Sequence, residues 1–184
     1  MTHRPDDRPD DQGLGLVQVY TGDGKGKTTA ALGLALRAAG WGYRSFVGQF
    51  IKGQDCGELH SVSLLSPLVT IEQFGGRTFV HTDRVAPEDI AMAQQGLRRI
   101  REVLASGEYQ IVVMDEICVA LFLHLVSMEQ VLSIIRQRPP GVELVLTGRR
   151  APQEILAEAD LVTEMVEVKH PYQRGIRARQ GIER

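Results

Sequence analysis

Apolar and polar residues along the chain alternate between short hydrophobic runs and longer segments of helical periodicity. From Leu16 the run Leu16, Val17, Val19 and Tyr20 ends at a glycine cluster, as a buried parallel strand does. The Ala- and Leu-rich stretch 28–39 that follows predicts a helix stopped by Gly40 and Gly42. Residues 45–51 and 69–74 predict a second and a third strand. An amphipathic helix is expected over 87–104, with Pro87 and Glu88 in its first turn and Gly107 beyond its end. The run 111–114 predicts a strand that delivers Asp115 and Glu116 at its C-terminal end. Beyond it come a helix over 128–137 closed by Pro139 and Pro140, a strand over 143–146, a helix over 152–159 and an extended segment over 161–168.

Strands alternating with helices imply right-handed βαβ units: a mainly parallel sheet with helices on both faces, in an α/β fold of the P-loop NTPase type. Ligands of such sheets bind at the carboxyl ends of the strands. With 184 residues the chain suits one domain with a proper core, over 16–184, preceded by a polar tail over 1–15 that has almost nothing to bury.

Composition narrows the partners. A hydrophobic fraction of 43% and a charged fraction of 24% are ordinary for a globular protein, and a net charge of -2 makes nucleic acid a poor default partner. No apolar run approaches the roughly 18 residues of a membrane span. Cys56 and Cys118 stand far apart without CxxC spacing, and His60, His81, His124 and His170 lack ligand spacing, so no zinc site is expected. A reducing, cytoplasmic location fits.

Candidate chemistry concentrates in Thr21-Gly22-Asp23-Gly24-Lys25-Gly26-Lys27-Thr28-Thr29, between the first strand and the first helix. Glycines turn backbone amides inward and the helix start adds a positive dipole end, which together make a cradle for a polyphosphate. Lys27 is expected to neutralise charge on the terminal phosphates of ATP, and Thr28 to offer its hydroxyl to Mg²⁺ or Mn²⁺. One departure is visible: G-x-x-x-x-G-K-[ST] places glycine where this chain has Thr21. Asp115 is the candidate for orienting the metal, directly or through water, and Glu116 for contacting the nucleotide or a second substrate. Gln49 and Lys52 end the second strand near the same edge. Arg149, after the strand over 143–146, is placed to meet phosphate or a negatively charged second ligand.

Taken together, TGDGKGKTTAALGLALRA, QFIKG, VVMDE, LTGR and VKHPYQRGIRARQGIE resemble the P-loop type of ATP:corrinoid adenosyltransferase, over essentially everything after the tail. The resemblance implies transfer of the 5′-deoxyadenosyl group of ATP to the Co(I) centre of a reduced corrinoid, with triphosphate leaving in one piece. It carries Asp23, Lys25, Gly26, Lys27, Thr28 and Thr29 over as nucleotide contacts, beside Gly22 and Gly24 of the same loop, and implies that Lys27, Thr28 and Glu116 serve the transfer. It places Phe79 against the corrin, although the Phe-Thr-Trp arrangement of some members is lacking here. It further implies a homodimer, a flavoprotein electron donor as a partner, and an N-terminal segment, here 1–15, able to fold over a bound ligand. A P-loop kinase or ATPase that breaks a phosphoanhydride bond shares every loop feature and is the rival reading.

Overall fold

The computed structural model describes residues 13–76 and 85–183. Among the described residues, six strands form one sheet in the order β3-β2-β4-β5-β1-β6, and every neighbouring pair is parallel. The strands are β1 (Val17–Thr21), β2 (Ser45–Phe50), β3 (Val69–Phe74), β4 (Ile111–Asp115), β5 (Glu143–Thr147) and β6 (Leu161–Glu164). The helices are α1 (Lys27–Ala39), α2 (Gly57–Val62), α3 (Pro87–Ser106), α4 (Ile117–Phe122), α5 (Met128–Gln137) and α6 (Gln153–Ala157). The expected α/β architecture is therefore present, with two helices, α2 and α4, that the pattern did not announce.

Side-chain alternation along the strands sends each half of the hydrophobic set to its own layer. Tyr20, Val47, Ile111, Val113 and Val145 face one side, where α1 covers them with Ala31 and Ala38. Small residues let this helix lie close to the sheet, which fixes its N-terminus above the strand ends. Val19, Phe46, Val112, Met114, Leu144 and Leu146 face the other side, against α3, α4, α5 and α6. The run 111–114 is apolar at every position because both of its faces are buried.

Local signals set most boundaries. Helix α3 buries Ala93, Gly96, Leu97, Ile100, Val103 and Leu104 at helical spacing, and runs two residues past the expected end to Gly107, whose φ of 67° provides the left-handed stop. At the start of α5, Gln130 N donates to Ser127 Oγ while Ser127 N donates to Gln130 Oε1, a reciprocal cap that stabilises by about 1 kcal/mol. The predicted helix over 152–159 shortens to α6, and the extended segment over 161–168 keeps strand pairing only through Glu164. Of the expected tail, residues 1–12 lie outside the described residues, whereas Gly15 is tied down: its N–H donates to Glu143 Oε2.

Gly96 marks a close helix-to-sheet contact. A Cβ there meets Phe50 and Phe74 ring atoms at 2.8 Å. Gly96→Ala gains up to about 1 kcal/mol of helix propensity but overpacks a buried site at a cost of about 1–3 kcal/mol. The overpacking wins because one of the clashing atoms is the ring's attachment carbon, Phe74 Cγ. The variant is expected to unfold at lower urea than the parent, by about 1 kcal/mol in a two-state fit.

Candidate nucleotide and metal site

The loop between β1 and α1 turns at Gly22 (φ 91°) and Gly26 (φ 124°), conformations that L side chains rarely adopt. Thr21, which replaces the motif's first glycine, is instead the last residue of β1, and its Oγ1 accepts from Ala151 N at 3.2 Å. Gly22 therefore makes the turn one residue later. The departure from the consensus keeps the spacing to Gly26-Lys27-Thr28 and leaves the strand-loop-helix setting intact.

A second constraint comes from the chain beyond β6. Gly24 N donates to Met165 O at 2.7 Å, and a Cβ on Gly22 or Gly24 stands 2.4 Å or 2.7 Å from that same oxygen. The loop glycines are thus required by backbone packing as well as by backbone shape. Helix α1 has no side-chain cap and no acidic residue in its first turn, so its positive end is left for an anion.

Lys27 is 6% exposed, and its Nζ donates to Gly22 O and Gly24 O, both at 2.7 Å. The ammonium spans the loop from inside. Burial pulls its pKa below the usual lysine value, and Arg149 adds to this while Glu116, Asp23 and Asp115 oppose it.

Asp115, fully buried at the end of β4, is the hub. Its Oδ1 accepts from Thr28 Oγ1 at 2.9 Å and Thr147 Oγ1 at 2.7 Å; its Oδ2 accepts from Lys52 Nζ at 2.9 Å and, weakly, from Gln49 Nε2 at 3.4 Å. The sheet order explains the gathering. Strand β4 lies between β2 and β5, with Gln49 in register with Asp115, so three strand ends and α1 meet at one carboxylate. Lys52 also reaches Thr28 Oγ1 at 3.3 Å and stands 4.0 Å from Glu58 Oε1 on α2. Burial by itself lowers the pKa of Lys52, but the ion pair with Asp115 outweighs this and leaves it raised.

Glu116 follows with φ 61°, a left-handed conformation costly for a side chain of its size, and its N–H donates to Thr147 Oγ1 at 2.9 Å. Burial, then the neighbouring Asp115, push its carboxyl above the usual range. The turn re-aims the chain from β4 into α4 and puts Glu116 on the wall of a cleft.

That cleft, about 680 Å³, opens between the loop, α2, Arg149 and the C-terminal stretch 181–183. Gly24, Lys25, Gly26, Lys27, Thr28 and Thr29 line it. Arg149 also borders a smaller cleft of about 320 Å³, where Asp23 lies and where Arg150 stacks 4.3 Å over the Phe122 ring. Lys25, expected to meet the nucleotide, here donates to Ile182 O at 2.9 Å and to Glu183 Oε1 at 3.2 Å. Hydrogen bonds from Arg179 hold the Glu183 carboxyl down to about 2.

Of the expected site, Gly24 to Thr29, Glu116 and Arg149 line one cleft with Asp115 bonded behind Thr28, whereas Asp23 borders the smaller cleft; Phe79 lies outside the described residues. Sequence reasoning noted Lys52 and Gln49 near this edge, yet it missed Thr147, Glu58 and the C-terminal wall. The acidic Glu58 directly after Gly57 carried no periodic signal, since α2 has no buried face.

Comparison with known proteins agrees with this geometry. Residues 13–184 match the family model described as ATP:corrinoid adenosyltransferase BtuR/CobO/CobP. The chain is 37% identical over 171 residues to the corrinoid adenosyltransferase of Pseudomonas aeruginosa, covering 92% of this chain and 83% of that protein. It is 35% identical over 171 residues to one from a Sinorhizobium species, covering 92% and 80%, and 34% identical over 170 residues to one from Escherichia coli K12, covering 92% and 85%.

Proposed function

Because the chain belongs to the ATP:corrinoid adenosyltransferase family, we propose that its loop and the Asp115 hub hold ATP so that triphosphate is the leaving group. The enzyme is a transferase that adenosylates corrinoids. The electron pair of Co(I) in the reduced corrinoid forms the bond to C5′ of the ribose, the C5′–O5′ bond breaks, and its electrons leave on the triphosphate. Cobalt ends formally as Co(III).

This reaction needs no general base, which suits a site whose polar groups are charge partners. Lys27 and the α1 N-terminus stabilise the polyanion as charge builds on it. Arg149, on the lining of the same cleft, adds a further positive charge, and Glu116 contacts the nucleotide or the corrinoid. The observation that carries the reading is the buried Lys27 ammonium drawn across a loop at an uncapped helix start, a cradle made for a polyphosphate.

Thr28 Oγ1 and Asp115 are hard oxygen donors beside that cradle, and a cationic ammonium already sits among them. This donor set fits Mg²⁺, with Thr28 as ligand and Asp115 as ligand or acceptor of a metal-bound water. Bound there, Mg²⁺ would neutralise part of the triphosphate charge. Family membership is also the ground for reading the protein as a homodimer supplied with electrons by a flavoprotein. No helix among the described residues is long and apolar enough to cross a membrane.

The test is formation of the cobalt–carbon bond. Enzyme, Mg²⁺-ATP and chemically reduced cobalamin should convert the Co(I) absorption spectrum to that of a light-sensitive alkylcobalt. Binding of both substrates without that conversion would argue for a carrier module instead.

A further inference from the structure

Lys52 sits where the proposed metal belongs. Its Nζ is 2.9 Å from Asp115 Oδ2 and 3.3 Å from Thr28 Oγ1, and a divalent ion on those groups would meet the ammonium at close range. Asp115 is fully buried, and a buried carboxylate without a counter-ion is strongly unfavourable, so some cation must serve it when no nucleotide is present.

We propose that Lys52 is a resident counter-ion: it holds the metal position in the empty site and crosses to the triphosphate when metal and nucleotide enter together. Metal binding is thereby made conditional on ATP. This rests on the loop and hub acting as the nucleotide and metal site described above.

Three features suit the side chain to that movement. Its base is fixed, because a Cβ on Gly53 would lie 2.0 Å from Gly75 O and one on Gly75 would lie 2.4 Å from Lys52 N, so the ends of β2 and β3 are pressed together. The stem is the mobile part, a flexible four-carbon chain with three rotatable donors, and Lys52 lines the nucleotide cleft. Glu58 offers a second carboxylate 4.0 Å from Nζ on the cleft wall.

The hub is also prepared for the lysine's departure. Gln49 Nε2 donates to Glu58 Oε1 at 3.1 Å and stands 3.4 Å from the same Asp115 oxygen, and it is held in place by Gln73, whose Nε2 donates to Gln49 Oε1 at 3.0 Å. Thr28 and Thr147 hold the other oxygen independently of the lysine.

The experiment reads Mn²⁺ binding by the loss of the free-ion paramagnetic resonance signal, and metal-free ATP binding by calorimetry in EDTA. The parent protein should bind Mn²⁺ weakly without nucleotide and well with ATP. Lys52→Met should bind one Mn²⁺ without nucleotide at least about ten-fold more tightly, since the competing charge is gone, and metal-free ATP about ten- to a hundred-fold more weakly, the range of a lost charge-assisted bond. Lys52→Arg, still cationic, should keep excluding Mn²⁺. Adding Asp115→Asn to Lys52→Met should abolish the new uptake, and Lys52→Gln repeats the test should the methionine variant fold poorly.

Unchanged Mn²⁺ binding without nucleotide in both neutral variants overturns the placeholder role, and unchanged metal-free ATP affinity overturns the crossing. Neither readout involves adenosyl transfer. If instead the parent itself binds neither ATP nor Mn²⁺-ATP, the underlying site assignment has failed.

Discussion

Lys27→Ala is expected to lower kcat/KM for adenosyl transfer about 10²- to 10³-fold, the range found when one preorganised donor to a developing anion is removed. Fold stability should hardly move. Alanine forfeits the two bonds to Gly22 O and Gly24 O, each about 1.5–3 kcal/mol net for a charged donor, but it also relieves the desolvation of that charge, a cost of several kcal/mol. The lowered pKa of Lys27 shows that this burial is felt. Steady-state kinetics beside a urea titration separates the two effects. A large loss of stability would mean that Lys27 chiefly holds the loop together.

Asp115→Asn should fail in both respects. All four groups around this carboxylate donate: Thr28, Thr147, Lys52 and Gln49. An amide keeps one acceptor and turns a donor toward either the hydroxyls or the lysine. Breaking a buried ion pair from one side costs about 3–5 kcal/mol, and the side chain of Lys52, 31% exposed, recovers part of that in water. A loss of about 2–3 kcal/mol is the expected result. Activity should fall about 10²-fold or more, and the Mg²⁺ concentration for half-maximal rate should rise at least about ten-fold, since the carboxylate charge facing the metal is removed. An Mg²⁺ dependence identical to the parent's would remove Asp115 from the metal site.

The contrast between these two residues explains what the sequence could disclose. Lys27 and Thr28 follow from a local rule, a glycine loop joining a strand to a helix, and Asp115 from another, an acid at the end of an all-apolar strand. Both rules act within about ten residues. The network around Asp115 depends on β4 lying between β2 and β5, and Thr147 enters it only through that neighbour relation, which no local pattern encodes.

Helix α4 was hidden because Ile117–Phe122 is apolar at almost every position, so its periodicity could not be told from a continuing strand. The turn that separates it from β4 is the strained Glu116 rather than a glycine. Helix α2 was hidden for the opposite reason, having no buried residue to give it a period. The contacts of Lys25 with Ile182 and Glu183 span most of the chain, so no local pattern announces them, and the family resemblance assigns this lysine to the nucleotide. In the fold it joins the loop to the C-terminal wall.

The rival chemistry, cleavage of a phosphoanhydride bond, uses the same cradle and differs in which bond of ATP is left open to attack. Phosphorus NMR of the products decides between them. With ATP, Mg²⁺ and chemically reduced corrinoid, inorganic triphosphate should appear in step with the alkylcobalt product, one for one. ADP or orthophosphate as the primary product, with the corrinoid unchanged, would contradict the account.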